Sequence, residues 1–130
     1  ESRADLLRMF SAVGMATVLP EKQFSAFSSL VGCGPAFIYL FMEGMLNAGI
    51  SMGFKAGEAS KLIAAMVEGS AKLALSEGVS FADLRLRVCS PSGTTICGIN
   101  HLERTGVAGH AADAVFEAWH RDLKMASESD

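Results

Sequence analysis

The sequence predicts an all-α fold, a helical bundle built on long buried helices. Apolar residues recur at helical spacing along most of the chain, and no segment alternates apolar with polar residues as a half-exposed strand would. Half of the 130 residues are apolar but only 8% are aromatic, so small and unbranched side chains must fill the core. Such residues favour closely packed helices. The length fits one domain over residues 1–130.

Three short elements are predicted before residue 31. The first is a helix that stops at Gly14 and carries an apolar face of Leu6, Met9, Phe10 and Val13. A short apolar run over residues 16–19 follows, and it is too short to support a sheet. After Pro20, residues 21–30 are predicted to form a second, short helix.

A long helix is predicted over residues 35–52. Pro35 suits the first turn of a helix, where its missing N–H loses no hydrogen bond. The apolar side chains that follow cover every face: Phe37, Ile38, Tyr39, Leu40, Phe41, Met42, Met45 and Leu46. A helix that is apolar all round must be buried all round, which in a small domain requires a partner surface. The sequence therefore predicts a homodimer that buries this helix.

The same region needs a test as a membrane span, because residues 23–42 carry no formal charge. The unbroken apolar part after Pro35 ends at Glu43, well short of the ~20 residues that a spanning helix needs. A buried helix therefore explains the region better than a span. A nucleic-acid partner is not expected either, since the net charge is −3 and no segment gathers basic residues.

Further helices are predicted in the second half of the chain. Residues 56–76 carry two apolar stripes beside the small residues 69–71, so another helix can pack close to them. Ser80 is a good N-cap for a short helix over residues 81–88. The last helix has one apolar face, made of Ala112, Val115, Phe116, Trp119 and Leu123. Its tail, residues 127–130, is predicted to fray.

The cysteines and histidines show no metal-binding pattern. The three cysteines lack C-x-x-C spacing, so neither a zinc site nor a disulfide framework is predicted for Cys33, Cys89 and Cys97. Free thiols in a reducing, cytoplasmic location are expected, and charges near the N-terminus interrupt any secretion signal. No histidine is assigned a role. The lone Glu43 is interpreted as a residue at the wet edge of the core rather than an acid catalyst.

Gly32 and Gly34 could be mistaken for the start of a G-x-G-x-x-G dinucleotide fingerprint. Phe37 stands where the third glycine would be, and serines replace the β-rich strand that should come before Gly32. No other G-x-G-x-x-G occurs in the chain. We therefore predict a glycine-rich turn into the helix that Pro35 starts, and no cofactor-binding domain within these residues.

Residues 90–95, of sequence SPSGTT, form the most informative segment. This small-residue segment opens a helical run that contains Ile96, Ile99 and Leu102. Free backbone N–H groups and the positive end of the helix dipole make such a place a site for a carboxylate or phosphate. Ordinary capping of the helix by Ser or Thr is the alternative, and spacing alone favours it because such caps are common.

The SPSGTT segment, followed by Ile96 and then by Leu102 and Glu103, resembles the signature of the pyrroline-5-carboxylate reductase family. Two further stretches resemble the same family in the right order, so the resemblance covers nearly the whole chain. They are residues 30–37 (LVGCGPAF) with residues 43–45 (EGM), and residues 47–50 (NAGI) with Gly53 and Phe54.

The resemblance implies the C-terminal domain of an enzyme that reduces 1-pyrroline-5-carboxylate to proline with NADPH or NADH. An N-terminal Rossmann domain, absent from this chain, would bind the nucleotide, so the chain alone is expected to be inactive. Family members dimerise through the long helices of this domain, and some stack dimers into higher oligomers. No metal is implied.

The resemblance also assigns roles near the SPSGTT segment. Backbone amides of Gly93, Thr94 and Thr95 hold the substrate carboxylate, and the Thr95 hydroxyl faces the ring nitrogen, which makes Thr95 the catalytic candidate. Val88 and Ser90 line the pocket. Catalysis of this kind depends on positioning two partners, with no covalent nucleophile.

Ser92 departs from the family pattern, which has the first glycine of a Gly-Gly pair at this position. If the position needs a positive φ, Ser92 adds strain and leaves the substrate preference open. Two alternatives therefore remain. One is a stand-alone helical dimerisation module that has lost catalysis, and the other is a related imine reductase with a different substrate.

Overall fold

The computed structural model describes residues 2–128, and over that range it is helical without a β-strand. The all-α prediction is therefore confirmed. A 3-10 turn, Glu21–Gln23, precedes the second helix, and a π-helical turn, Ser28–Gly32, follows it. The helices in chain order are α1 Arg3–Ser11, α2 Phe24–Phe27, α3 Gly34–Ser51, α4 Ala56–Glu77, α5 Phe81–Arg87, α6 Thr94–Arg104 and α7 Val107–Glu128.

Helix α1 begins with a capping box, in which the Ser2 hydroxyl accepts a hydrogen bond from the Asp5 N–H at 3.3 Å. The helix ends at Ser11, three residues before the predicted stop at Gly14. The segment that follows, up to residue 20, forms neither helix nor strand, and Val13 and Met15 within it are 87% and 85% exposed. This N-terminal stretch therefore leaves apolar side chains uncovered.

The short helix predicted over residues 21–30 exists, but it continues into a π-helical turn that the sequence did not predict. The Cys33 N–H donates to the Ser28 carbonyl at 3.0 Å, five residues back. Ser29 is buried in this turn, and its hydroxyl donates to the Ser25 carbonyl at 2.9 Å. The turn packs against α7, and its small serines allow a close approach.

Helices α3 and α4 form a helical hairpin. Pro35 lies in the first turn of α3, as predicted. Gly49 and Ala59 are buried where the two helices meet, and a Cβ atom placed on Gly49 would lie 3.4 Å from the Ala59 Cβ. Since that distance is already van der Waals contact, any side chain larger than a methyl group at Gly49 would push the hairpin apart.

Helix α7 carries the apolar face that its spacing predicts, and it packs on the π-helical turn, α2 and α6. Val115 and Trp119 are half-buried, whereas Phe116 and Leu123 on the same face remain exposed. The helix continues to Glu128, so the predicted fraying does not begin at Ser127. Residues 129–130 lie outside the described part of the chain.

The helical stretch Glu21–Ser51 is long and apolar enough to cross a bilayer by length and composition, since it has 31 residues and an 18-residue window within it has a mean hydropathy of 1.5. The predicted end of the apolar part at Glu43 was therefore wrong, because helical structure continues past Glu43 and also extends back through the turns around α2. A buried helix in place of a span stays the prediction. The core helix of a soluble protein meets the same criterion, so length alone does not identify a span.

Very little of the chain is buried. Between residues 2 and 128 only Ser29, Gly49 and Ala59 are buried, although half of the sequence is apolar. The solvent-accessible surface is 10294 Å², whereas a compact protein of 13.7 kDa exposes about 6,600 Å². The uncovered surface includes much of α3, where Ile38, Tyr39, Leu40 and Phe41 are all exposed.

Candidate functional site

The SPSGTT segment lies at the connection between α5 and α6. Helix α5 is fixed at its start by Ser80, whose hydroxyl accepts from the Asp83 N–H at 3.1 Å, as the sequence predicts. The helix ends at Arg87, and α6 begins at Thr94. The five predicted site residues therefore occupy the end of α5, the loop and the first turn of α6: Val88, Ser90, Gly93, Thr94 and Thr95.

Residues 90–93 form a tight turn in which the Gly93 N–H donates to the Ser90 carbonyl at 3.1 Å. Pro91 occupies its second position, and Ser92 occupies its third with φ +59°. A proline followed by a residue of positive φ is the pattern of a type II turn, whose third position favours glycine. The condition stated for Ser92 is therefore met: a non-glycine residue stands where the backbone is left-handed.

Gly93 is the N-cap residue of α6, and no side chain caps this helix. The capping explanation for the segment is therefore wrong, because neither serine nor threonine accepts from the first-turn amides. A Cβ atom on Gly93 would overlap the Ser90 hydroxyl and lie 3.1 Å from the Ser90 carbonyl oxygen. A larger residue here would therefore require the Ser90 side chain to rotate and its carbonyl to shift by a few tenths of an ångström.

The absence of a cap leaves amides available at the start of α6. No described residue accepts a hydrogen bond from the N–H groups of Thr94 and Thr95. The Gly93 amide, in contrast, already donates to Ser90 within the turn. Of the three amides that the sequence predicts for the substrate carboxylate, those of Thr94 and Thr95 are therefore free and that of Gly93 is used within the turn.

The segment is open to solvent. Val88 is 64% exposed, Ser90, Thr94 and Thr95 are exposed, and only Gly93 is half-buried. No hydrogen bond within residues 2–128 involves the Thr95 hydroxyl. In a single copy of the chain, the Thr95 hydroxyl and the Thr94 and Thr95 amides therefore have no hydrogen-bond partner among residues 2–128 and lie at the exposed start of α6.

Two ion pairs next to the segment were not predicted. Arg85 Nη1 lies 3.1 Å from Glu103 Oε1 in α6, and Arg87 Nη1 lies 2.9 Å from Glu77 Oε2 at the end of α4. Their partners are 18 and 10 residues apart in sequence, so no helical spacing could reveal them. Together they attach both sides of α5 to its neighbours.

The two best-formed clefts among residues 2–128 are not lined by the SPSGTT segment. One, of about 370 Å³, lies between α5, α6 and the start of α7 and includes Arg85, Leu102, Glu103 and Val107. The other, of about 190 Å³, lies between α3 and α4 beside Tyr39 and Glu43. Among residues 2–128, no cluster of three or more His, Cys, Asp or Glu side chains is arranged to hold a metal ion.

Replacing Ser92 with glycine is expected to stabilise the chain by about 1 kcal/mol, because glycine avoids the Cβ strain of a left-handed residue. Urea unfolding at fixed protein concentration measures the change. The reciprocal control is Gly78→Ser: Gly78 has φ +63° and open space around it, so serine there should cost a similar amount. An unchanged midpoint for Ser92→Gly beside a lowered one for Gly78→Ser would contradict the strain at Ser92.

Comparison with known proteins links the chain to one enzyme family. A family model described as pyrroline-5-carboxylate reductase dimerisation matches residues 21–125. A pyrroline-5-carboxylate reductase from Methanosarcina acetivorans is 40% identical over 119 residues, which cover 92% of this chain and 44% of that protein. One from Kluyveromyces lactis is 37% identical over 118 residues, which cover 91% and 41%. The chain therefore spans less than half the length of these relatives.

A solved structure extends the similarity to the arrangement of the helices. The crystal structure of a Plasmodium falciparum pyrroline carboxylate reductase with NADP bound matches with a TM-score of 0.86 at 25% identity. The match covers 95% of this chain and 50% of that one. The helical array described above is thus shared with half of that enzyme's chain.

Proposed function

Because the chain belongs to the pyrroline-5-carboxylate reductase family, we propose that it is the dimerisation and substrate-binding domain of an enzyme that reduces 1-pyrroline-5-carboxylate to L-proline. The observation that carries this proposal is the uncapped start of α6, where Thr94 and Thr95 offer free amides beside a tight turn that packs closely against Gly93. This is the part of the chain that the family signature covers.

The start of α6 suits the carboxylate of such a substrate. Two free N–H groups can each donate to a carboxylate oxygen, and the positive end of the helix dipole favours a negative charge. Gly93 has no side chain, so a ligand can come close to the backbone there. A hydrogen bond to a charged group typically contributes about 1.5–3 kcal/mol, so two amides are enough to orient a small acid.

Thr95 is the residue we assign to the reacting part of the substrate. Its hydroxyl makes no hydrogen bond within the described chain, and it sits one residue after the first free amide. A carboxylate held by the amides would leave the ring nitrogen within reach of that hydroxyl. Val88 and Ser90 would border the ring. The site then works by orienting the substrate, since it contains no candidate for a covalent nucleophile.

The nucleotide does not fit the residues present here. Gly32 and Gly34 lie in the π-helical turn and at the start of α3, with helical turns before them in place of a strand. A pyrophosphate cradle needs a strand, a glycine-rich turn and a helix. We therefore assign NADPH or NADH to a nucleotide-binding domain outside this chain, and the chain alone should not be an active reductase.

The uncovered apolar surface supports self-association. The excess over a compact monomer is roughly 3,700 Å² per chain, whereas an obligate dimer interface buries about 2,000–5,000 Å² summed over both partners, so the excess is large enough for a dimer interface and for a contact with a further domain. Helix α3, exposed on several faces, is the surface that a second copy would cover, and dimers could then stack into larger assemblies. Covered in this way, the Glu21–Ser51 stretch needs no bilayer, so we assign the protein to the cytoplasm.

The domain boundary follows from the N-terminal stretch. The family model begins at residue 21, whereas α1 and residues 12–20 carry exposed apolar side chains outside it. We infer that this stretch packs against the nucleotide-binding domain, and that the helical domain proper begins near residue 21 instead of residue 1. The 130 residues would then contain one helical domain and a short N-terminal segment that packs against the nucleotide-binding domain.

The isolated chain is expected to bind L-proline but not NADPH. In a titration of isotope-labelled chain with L-proline, the amide resonances of Thr94 and Thr95 should shift, because these groups receive the carboxylate. L-prolinamide, which has the same ring without the negative charge, is the matched control and should leave them in place. Equal shifts with both compounds, or micromolar NADPH binding by isothermal titration, would contradict the proposal.

A further inference from the structure

We propose that the ion pair between Arg85 and Glu103 is a brace that sets the position of the substrate loop, which makes both side chains positioning residues for the reaction. The inference rests on the proposed function, because it gives these two residues a part in holding the site at residues 90–95. Both side chains lie along the cleft between α5, α6 and α7, whose lining does not include residues 90–95.

The Arg85–Glu103 pair joins the two helices that the substrate loop connects. Arg85 is in the last turn of α5, three residues before Val88, and Glu103 is near the end of α6. The pair joins the helix that enters the loop to the helix that leaves it, with 3.1 Å between Arg85 Nη1 and Glu103 Oε1. Nine residues of helix separate Thr94 from Glu103, so the brace acts about 13 Å from the amides that it would align.

The loop itself has little to hold it. Its backbone hydrogen bonds are local, from the Cys89 N–H to the Leu86 carbonyl at 3.0 Å and from the Gly93 N–H to the Ser90 carbonyl at 3.1 Å. No hydrogen bond among residues 2–128 ties residues 88–93 to a distant part of the chain. The distance from Val88 to the α6 amides therefore depends on the angle between α5 and α6.

Helix α5 depends on ion pairs for its own placement. Leu84 is its only half-buried residue, and the other six are exposed. Helix α6, by contrast, packs on α7. Arg85 attaches α5 to α6, and Arg87 attaches it to the end of α4. Of the two pairs, only the Arg85 pair joins the helices on either side of the loop, and it therefore holds Val88 at the end of α5 relative to the amides at the start of α6.

The Arg85–Glu103 pair is too exposed to contribute much to the free energy of folding. The side chains of Arg85 and Glu103 are 46% and 56% exposed, and ion pairs at such positions add little to the free energy of folding. The pair instead restricts the orientation of α5 relative to α6, because a guanidinium binds a carboxylate in a restricted geometry. Loss of the pair should thus loosen the loop while the fold persists.

The test uses a reductase in which this chain replaces the matching domain of the Methanosarcina acetivorans enzyme. Arg85→Gln or Glu103→Gln should each raise the KM for pyrroline-5-carboxylate about threefold, with kcat within about twofold, since exposed pairs are worth up to about that factor. The double variant should match the single ones, because both remove the same contact. The exchanged pair, Arg85→Glu with Glu103→Arg, should return KM toward its original value.

Two controls separate a brace from a general loss of charge or stability. Lys72→Gln removes an ion pair with Glu68 that is also exposed and lies in the middle of α4, and it should leave KM unchanged. High salt should raise the KM of the unaltered enzyme by a larger factor than that of the Gln variants, because the substrate carboxylate is screened in all of them and only the former also has a pair to screen. A structural role alone would not give that difference.

A chimera that reduces pyrroline-5-carboxylate with the same KM in all variants overturns the brace and leaves the proposed function intact. A chimera without activity counts against the proposed function, and hydrogen exchange then decides the brace separately. In that case Arg85→Gln should speed exchange of the Cys89 and Gly93 amides, and unchanged exchange overturns the inference.

Discussion

The Leu40→Asp variant is expected to lose the folded dimer at micromolar concentration. Leu40 is 70% exposed in one copy of the chain and lies on α3, the helix that we expect a second copy to cover. Burying an unpaired carboxylate in an apolar interface costs several kcal/mol, which is comparable with the whole stability of a small domain. Sedimentation velocity with circular dichroism should therefore show monomer, aggregate or lost helix where the unaltered chain shows a helical dimer.

The matched control is Leu40→Met, which keeps the apolar volume and should remain dimeric. A clean, folded monomer for the unaltered chain would contradict the account directly. A Leu40→Asp protein that sediments as the same helical dimer would contradict the placement of α3 in the interface, because a surface that tolerates a new charge is not buried.

Thr95→Ala, in the chimera with the Methanosarcina acetivorans nucleotide domain, is expected to lower kcat/KM by at least about tenfold. The physical reason is that a hydroxyl bonded to the ring nitrogen in the transition state lowers the barrier, and its loss leaves that interaction unmade. Steady-state assays with pyrroline-5-carboxylate and NADPH measure the change. Thermal stability should move by less than about 0.5 kcal/mol, because the Thr95 hydroxyl bonds to nothing in the described chain.

Thr94→Ala is the matched control for that experiment. It removes a neighbouring exposed hydroxyl and keeps the backbone N–H, which is the only group of Thr94 that the proposal uses. Its kcat/KM should stay within about twofold. Equal losses for both variants would mean that the hydroxyls act through the fold, and an unaffected Thr95→Ala enzyme would mean that the site assignment is wrong.

Local signals predicted most of the fold. Pro35 at the start of α3 and Ser80 before α5 each mark a helix end through the conformation or the hydrogen bond that the residue type allows. The apolar coverage of α3 predicts a helix that is buried all round, and because one copy of the chain leaves Tyr39 and Leu40 exposed, that burial needs a partner surface. These signals lie within a few residues of the feature that they predict.

Features that depend on longer distances were missed. The π-helical turn at residues 28–32 needs a five-residue hydrogen bond that no spacing of apolar residues reveals. The pairs Arg85–Glu103 and Arg87–Glu77 join different helices, so they follow from the packing and not from a helical repeat. Glu43 interrupts the apolar run in the sequence, but the helical stretch Glu21–Ser51 continues past it.

The candidate site at residues 88–95 was predicted only in part. Spacing alone favoured a Ser or Thr cap at α6, because the sequence does not show that the turn places Gly93 at the N-cap position. The resemblance to the family supplied the roles of Val88, Ser90, Thr94 and Thr95, which composition could not. The expectation that Ser92 would be strained depended on a φ value that only the structure gives, and that value is +59°.

The most direct measurement of the central claim is the steady-state rate of the unaltered chimera with 1-pyrroline-5-carboxylate and NADPH. If this chain is the dimerisation and substrate-binding domain of a pyrroline-5-carboxylate reductase, the chimera should oxidise NADPH with formation of L-proline, and the isolated chain should not. A folded, dimeric chimera that binds NADPH and forms no proline would contradict the claim. A different cyclic imine reduced in its place would identify a related imine reductase, and no imine reduced at all would leave a dimerisation module without catalysis.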